Sequence, residues 1–228
     1  MRGPERYLKT KVNYYPIFLD LRDRLVVVVG GGKVAERKVR GLLEAGARVR
    51  VISPELTEGL RRLVQKDKIE HIGRDYQRGD LKGAFLAIAA TSDMEINRAV
   101  SADATSIPVN VVDVPELCSF IVPATVKRGE LCIAVSTSGA SPKMAGSIRE
   151  ELEEMFKEEV AEFFSLLKEL RERLKETALE PSAREGLFKE LGSRRVLRVL
   201  LDAGMDEARK EIKRVLSKWG QDEIGKSL

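Results

Sequence analysis

Between Leu25 and Val112 short apolar runs alternate with longer stretches in which apolar residues recur every three or four positions. Val26–Val29 is continuous rather than alternating, the pattern of a strand buried on both faces. Lys33–Glu44 places Val34, Ala35, Val39, Leu42 and Leu43 at helical spacing, with Gly46 just past its end. Strands follow at Val49–Ile52, Ile69–Ile72, Phe85–Ala89 and Val109–Val112. Helices are expected at Leu56–Val64 and from the Thr91-Ser92-Asp93 group, any of which can cap, through Val100. Strands separated by single helices predict an α/β unit: a mostly parallel sheet with helices on both faces.

Past Pro115 the rhythm changes. Ser119–Val122 and Leu131–Val135 read as strands joined through Lys127–Glu130, too close for a crossover and so a hairpin or an extension. Beyond Ser136 helical character runs almost to Trp219, in segments near 143–179, 183–190, 193–202 and 204–218 split by Pro181, Gly192 and Gly204. The chain is therefore expected to comprise a dinucleotide-type unit over 1–113, a small linking or dimerisation region over 114–145, and a helical domain over 146–228. The stripe Leu152, Met155, Phe156, Val160, Phe163, Phe164 and Leu167 is ordinary amphipathic packing.

The first strand runs into Gly30-Gly31-Gly32-Lys33-Val34-Ala35, a G-x-G-x-x-A turn that opens a helix. Gly30 permits the tight turn, Gly32 leaves no Cβ between backbone and pyrophosphate, and Ala35 lets the helix approach the sheet. Phosphates then meet unpaired N–H groups and the positive end of the helix dipole. In this βαβ setting the motif predicts a Rossmann-like unit binding a dinucleotide. The acid expected at the end of the second strand is missing: Ser53, Pro54 and Glu55 stand there, with Glu55 or backbone around Pro54 left to meet the ribose. Arg37, Lys38 and Arg50 lie near in sequence, so charge alone does not exclude a 2′-phosphate, although NAD is the favoured cofactor. Thr91, after the fourth strand, is counted with the cofactor contacts. No G-x-x-x-x-G-K-[ST] run is present, which sets ATP hydrolysis aside.

Catalytic groups of an open parallel sheet come from the carboxyl ends of its strands. Asp113 stands there in PVNVVDVPEL, either half-buried near the nicotinamide as an acid or base, or capping the turn before Pro115. Asn110 faces the same crevice or satisfies backbone groups. His71, the single histidine, is expected at the surface, and with two cysteines fourteen residues apart no zinc spacing exists. In STSGASP, the hydroxyls of Ser136, Thr137, Ser138 and Ser141 are candidates for holding substrate carboxylates, while Ser141-Pro142 also reads as the cap and first turn of a helix.

Composition narrows the classes. Residues 1–150 carry 24 Lys and Arg against 18 Asp and Glu, a net of +6, and residues 151–228 carry 16 against 18, a net of −2. The front excess suits a small polyanion; the basic stripe interleaved with aromatics that nucleic acid requires is not seen. Cys118 and Cys132 sit in apolar runs, so no disulfide scaffold is expected. The charged start MRGPERYLKTK leads into no apolar core of signal-peptide length, and the longest apolar run is Leu25–Val29. A soluble, cytoplasmic protein with no membrane partner is expected.

The run YYPIFLDLRDRLVVVVGGGKVAERKVRGLLEAGARVRVISPEL, and then FLAIAATSDMEIN, NVVDVPELCSFIVPA and IAVSTSGASPKMAGSIREELE, resemble the N-terminal module of siroheme synthase and the stand-alone precorrin-2 dehydrogenases. The resemblance spans about residues 14–155, with separated motifs in the same order. It implies oxidation of precorrin-2, a tetrapyrrole, to sirohydrochlorin with NAD⁺, and a homodimer. In some members it also implies insertion of Fe²⁺ as a second substrate. It places cofactor contacts on Gly31, Gly32, Lys33 and Val34, with Pro54 and Glu55 near the ribose, and puts the family's dehydrogenation aspartate on Asp113. The serine phosphorylated in the fusion enzymes corresponds to Thr137. The methyltransferase that makes precorrin-2 is expected to be a separate protein. Two other readings stand beside this one: an NAD-dependent dehydrogenase of another small metabolite, and a non-enzymatic NAD-sensing module.

Overall fold

A computed structural model describes residues 13–226; the charged start, residues 1–11, lies outside the described residues. The chain divides into two compact units, one ending at Val122 and one beginning at Pro123.

The front unit is built on five strands, β1 Leu25–Val29, β2 Arg48–Ile52, β3 Ile69–Ile72, β4 Leu86–Ala89 and β5 Val109–Val111, with α1 Lys33–Glu44, α2 Glu58–Gln65 and α3 Met94–Asp103 between them. Every pairing is parallel and the order is β3-β2-β1-β4-β5. Because β1 is central, its valines are divided between two cores. Val26 and Val28 pack with Ala35, Val39 and Leu42 of α1 and Leu60 of α2. Val27 and Val29 pack with Ala87 and Ala89 of β4 and Val100 of α3. All four are fully buried or nearly so, each contributing on the order of 1.5–3 kcal/mol by burial. The chain steps outward from β1 through β2 to β3, then returns to β4 on the other side of β1. A crevice opens at that reversal, above the carboxyl ends of β1 and β4.

Side chains set the helix starts. Asp93, of the three candidate caps, accepts from Glu95 N–H and Ile96 N–H at 2.8 and 3.2 Å. Thr57 caps α2 through Leu60 N–H and donates its own hydroxyl to Glu36 of α1 at 2.6 Å. The fifth strand stops at Val111, one residue earlier than its apolar run suggests.

The rear unit opens with an antiparallel hairpin, β6 Ala124–Arg128 and β7 Leu131–Val135. The strand expected at Ser119–Val122 is instead a loop: Ser119 donates its N–H to Val109 O at 2.9 Å and its hydroxyl accepts from Val109 N–H at 2.8 Å. The helix expected over 143–179 is two, α4 Pro142–Met155 and α5 Glu159–Lys175. Periodicity cannot show this break, because no glycine or proline marks it. Arg128, far off in sequence, donates to the carbonyls of Phe156 and Glu153 at 2.7 and 3.3 Å, satisfying carbonyls that an ending helix leaves open. Helices α6 Pro181–Leu191, α7 Arg194–Lys218 and the short α8 Asp222–Lys226 complete the unit. Helix α7 is interrupted at Gly204, where φ is +83°, matching the expected split. Leu170, Leu174, Leu187, Leu191, Leu200, Ile212 and Leu216 form the core. No helix among the described residues is long and apolar enough to cross a membrane.

Candidate functional site: a glycine-floored cleft

The crevice at the β1/β4 reversal is a cleft of about 440 Å³. Gly30, Gly31, Gly32, Lys33 and Val34 form its floor, Ser53 and Pro54 come from the end of β2, and Thr91, Ser92 and Asp93 from the end of β4. The three glycines are required for three different reasons. Gly30 has φ of +118°, and a Cβ there would lie 2.4 Å from the Ala90 carbonyl oxygen. Gly31 is pressed under the β2–α2 loop, where a Cβ would meet Glu55 O at 1.9 Å and Ser53 Oγ at 2.8 Å. Gly32 has ordinary extended geometry, φ −81° and ψ −175°, and a Cβ would meet nothing within 4 Å. Nothing among the described residues demands glycine at residue 32, which leaves room there for a ligand.

What that ligand meets is the start of α1. Gly32 is the N-cap and no side chain caps the helix; the first ladder bond is Glu36 N–H to Gly32 O at 2.9 Å. The N–H groups of the first turn are therefore unpaired at the positive end of the dipole. Lys33 adds the only cationic side chain on the cleft wall among the described residues. These residues fit a pyrophosphate.

Of the sequence-chosen cofactor residues, Gly30, Gly31, Gly32, Lys33, Val34, Ser53, Pro54 and Thr91 share this cleft, while Glu55 does not line it. Glu55 contributes its carbonyl to packing over Gly31 instead. Thr91 lines the cleft with its hydroxyl engaged by Asp93 and Asn97. Neither Arg37, Lys38 nor Arg50 reaches the cleft wall, and Arg50 pairs with Glu70 at 2.8 Å. His71 is half-buried rather than a surface group, its Nε2 lying 2.9 Å from Ser53 O at the end of β2.

Asp113 lies two residues beyond β5 in a turn, with φ of +62°, a region aspartate tolerates better than most residues. It is exposed rather than half-buried. No side chain caps the turn beginning at Pro115, and the Asp113 carboxylate makes no hydrogen bond or ion pair among the described residues, so the capping role is not what the structure shows. Lys38, by sequence only a nearby charge, is half-buried on α1. Burial, then Arg37, pulls its ammonium below the usual lysine range, and the Asp113 carboxylate opposes that shift. The two side chains thus share one field. The turn is held from beneath by Cys118, whose thiol accepts from Val111 N–H at 3.1 Å and faces the carbonyls of Val111 and Val114. Burial pushes that thiol up. Asn110 is not free to face a ligand: it is buried and its amide donates to Phe120 O at 3.0 Å.

In the rear unit the hydroxyl segment is largely self-satisfied. Ser141 caps α4 through Met144 N–H at 3.2 Å, as its sequence suggests. The Thr137 hydroxyl both accepts from Ser141 N–H and donates to Ser141 O, at 3.0 and 3.1 Å. Ser136 accepts from Ser138 N–H at 3.0 Å, and both of these residues are exposed.

Asp75, which sequence reading passed over, also lines the cleft. It sits in a loop clamped on both sides. Arg74 makes a two-pronged pair with Asp80 at 2.7 and 2.8 Å, and Asp103 of α3 receives the Tyr76 hydroxyl at 2.5 Å and Gly79 N–H at 2.8 Å. Asp80 is held below the usual carboxylate range chiefly by Arg74, and Asp103 chiefly by Gly79 N–H and then the Tyr76 hydroxyl. Carboxylates lowered on folding stabilise fully above their ordinary value of 3.8, and lose that contribution as pH falls through the lower folded values. The clamp is therefore expected to stay closed at neutral pH and open in acid. Amide shifts of Gln77 and Gly79 will move together below pH 3.8, and Asp80→Asn will abolish the Gln77 step.

The glycines separate stability from binding. Gly31→Ala is expected to lower Tm, since the β2–α2 loop must move. Gly32→Val is expected to keep Tm within about a degree yet weaken NAD⁺ by about tenfold or more, because its side chain occupies the phosphate seat. Thermal melts beside equilibrium NAD⁺ titrations read both.

Comparison with known proteins agrees with this geometry. Residues 17–124 match an NAD(P)-binding family model, and residues 128–155 match that of the sirohaem biosynthesis protein central region. Siroheme synthase of Methylobacillus flagellatus is 40% identical over 208 residues, covering 90% of this chain and 44% of the relative. That of Pseudomonas aeruginosa is 47% identical over 167 residues, covering 72% and 36%. The chain thus spans less than half the length of these relatives. The solved structure of SirC, a precorrin-2 dehydrogenase, superposes with a TM-score of 0.77 at 26% identity, covering 90% of this chain and 100% of that one. The chain belongs to the family of NAD-binding modules found at the N-terminus of siroheme synthase and in precorrin-2 dehydrogenases.

Proposed function

We propose that this protein is a precorrin-2 dehydrogenase, oxidising its tetrapyrrole substrate to sirohydrochlorin with NAD⁺. The observation that carries the reading is an uncapped, glycine-floored helix start at the β1/β4 reversal, in a chain that matches SirC over that protein's whole length. NAD⁺, when bound, supplies the hydride acceptor. The chain's own residues do the rest. The α1 N-terminus and Lys33 neutralise the pyrophosphate. In a sheet of this order the adenosine half lies over β2 and the nicotinamide half toward β4 and β5, the side on which Asp113 follows β5.

The oxidation removes one hydride and one proton from the macrocycle. Asp113 is the proton acceptor in this reading, its carboxylate uncommitted to any other hydrogen bond. Lys38, sharing its field, offers a cation to a substrate carboxylate, and the positive excess of the front residues serves the same polyanion. Anaerobic mixing of precorrin-2, NAD⁺ and the protein should produce NADH and sirohydrochlorin together. Asp113→Asn should lower kcat by about a hundredfold while NAD⁺ affinity holds. A near-normal rate in that variant would remove Asp113 from the chemistry, and no NADH with wild type would remove the substrate assignment.

We also propose a homodimer. Helix α4 leaves Met144, Ile148 and Met155 exposed, at separations of four and seven residues that place them along one side of a helix. Light scattering behind size exclusion is expected to give twice the chain mass, and Ile148→Glu to shift it toward the monomer.

A further inference from the structure

The glycine-floored cleft holds one carboxylate that nothing among the described residues uses. Three charged side chains line it: Lys33, Asp93 and Asp75. Lys33 belongs to the phosphate end and Asp93 is spent as the cap of α3. Asp75 is exposed, and its carboxylate makes no hydrogen bond or ion pair among the described residues; only its backbone carbonyl is engaged, accepting from Arg74 at 2.9 Å. Yet the residues on either side of it are anchored to separate partners, Arg74 to Asp80 and Tyr76 to Asp103. A loop built with that many charge-assisted contacts holds its one free carboxylate at a fixed place on the cleft wall.

The place is informative. Asp75 follows β3, which lies outside β2 in the sheet, and so stands at the adenosine end of the crevice. The ribose carboxylate usually expected at the end of β2 is missing here, because Ser53 and Pro54 occupy that position and Glu55 does not line the cleft. We propose that Asp75 replaces it from the neighbouring strand: its carboxylate accepts hydrogen bonds from the adenosine ribose hydroxyls and, by charge, excludes a 2′-phosphate. Asp75 is then the residue that selects NAD⁺ over NADP⁺. Among the described residues no guanidinium lines the cleft to offset it, and Arg50 is paired with Glu70. The proposal rests on the glycine-floored cleft being the dinucleotide seat.

Equilibrium titration of the full chain with NAD⁺, NADP⁺ and NAD⁺ lacking the adenosine 2′-hydroxyl tests it. Wild type should prefer NAD⁺ over NADP⁺ by at least about a hundredfold and lose about tenfold on the 2′-deoxy cofactor, as a hydrogen bond to a charged group implies. In Asp75→Asn the NADP⁺ penalty should shrink about tenfold and the 2′-deoxy penalty largely vanish, leaving a non-additive cycle. Asp75→Arg should bring NADP⁺ level with NAD⁺ or ahead. Because the side chain is exposed and unbonded, each variant should keep the wild-type Tm. Unchanged NAD⁺/NADP⁺ and 2′-deoxy ratios in Asp75→Asn, with binding of both cofactors lost in Gly32→Val, would overturn the role of Asp75 and keep the seat. Undiminished NAD⁺ binding in Gly32→Val would overturn the seat itself, and Asp75 with it.

Discussion

A short row of backbone N–H groups without partners, at the start of α1, is the feature on which the rest of the front unit turns. Leaving helix donors open is costly unless water or a ligand satisfies them. Here Gly32 supplies no capping side chain and no Cβ to screen them. The position of those donors is set by β1, whose four valines are locked into cores on both faces. The strand cannot slide without exposing one set or the other, so the turn that follows it is delivered to the crevice with little freedom.

Around that anchor the sheet order distributes the remaining chemistry. Elements after β2 and β3 line one side of the crevice and the segment after β4 the other, while the Asp113 turn follows β5, one strand further out and off the cleft wall. Ser53, Pro54 and Asp75 are thereby separated from Thr91, Ser92 and the Asp113 turn by the width of β1 and its neighbours. A dinucleotide needs this separation, since its recognition end and its reactive end are held by different groups. Asp75 and Asp113, on opposite sides of the sheet's centre, are presented in similar ways. Each has an uncommitted carboxylate, and each sits in a segment held elsewhere: by Arg74–Asp80 and Tyr76–Asp103 at one end, by the Cys118 thiol beneath the Val111–Val114 turn at the other.

The rear unit shows a different economy. Its hydroxyl-rich segment, suggestive of anion binding when read as a string, spends Thr137 and Ser141 on closing a turn and capping α4. Its break between α4 and α5 is stabilised by Arg128 from the β6–β7 hairpin rather than by any local stop signal. Side chains that look functional by type can be structural by position, and the reverse holds for Asp75.

Local pattern alone was enough for the five parallel strands, the limits of α1, the glycine turn, the interruption at Gly204 and the cap at Ser141. Each depends on the backbone preferences and burial period of a few adjacent residues. The tertiary structure decided what no window of adjacent residues contains. It ended α4 at Met155 through an arginine 28 residues upstream of Phe156, buried the Asn110 amide against Phe120, left Asp113 exposed, kept Glu55 off the cleft wall and brought Asp75 to it. Hydrogen-bond partners and crevice walls are chosen by distance in space, and the sheet order that sets those distances is a property of the packed chain.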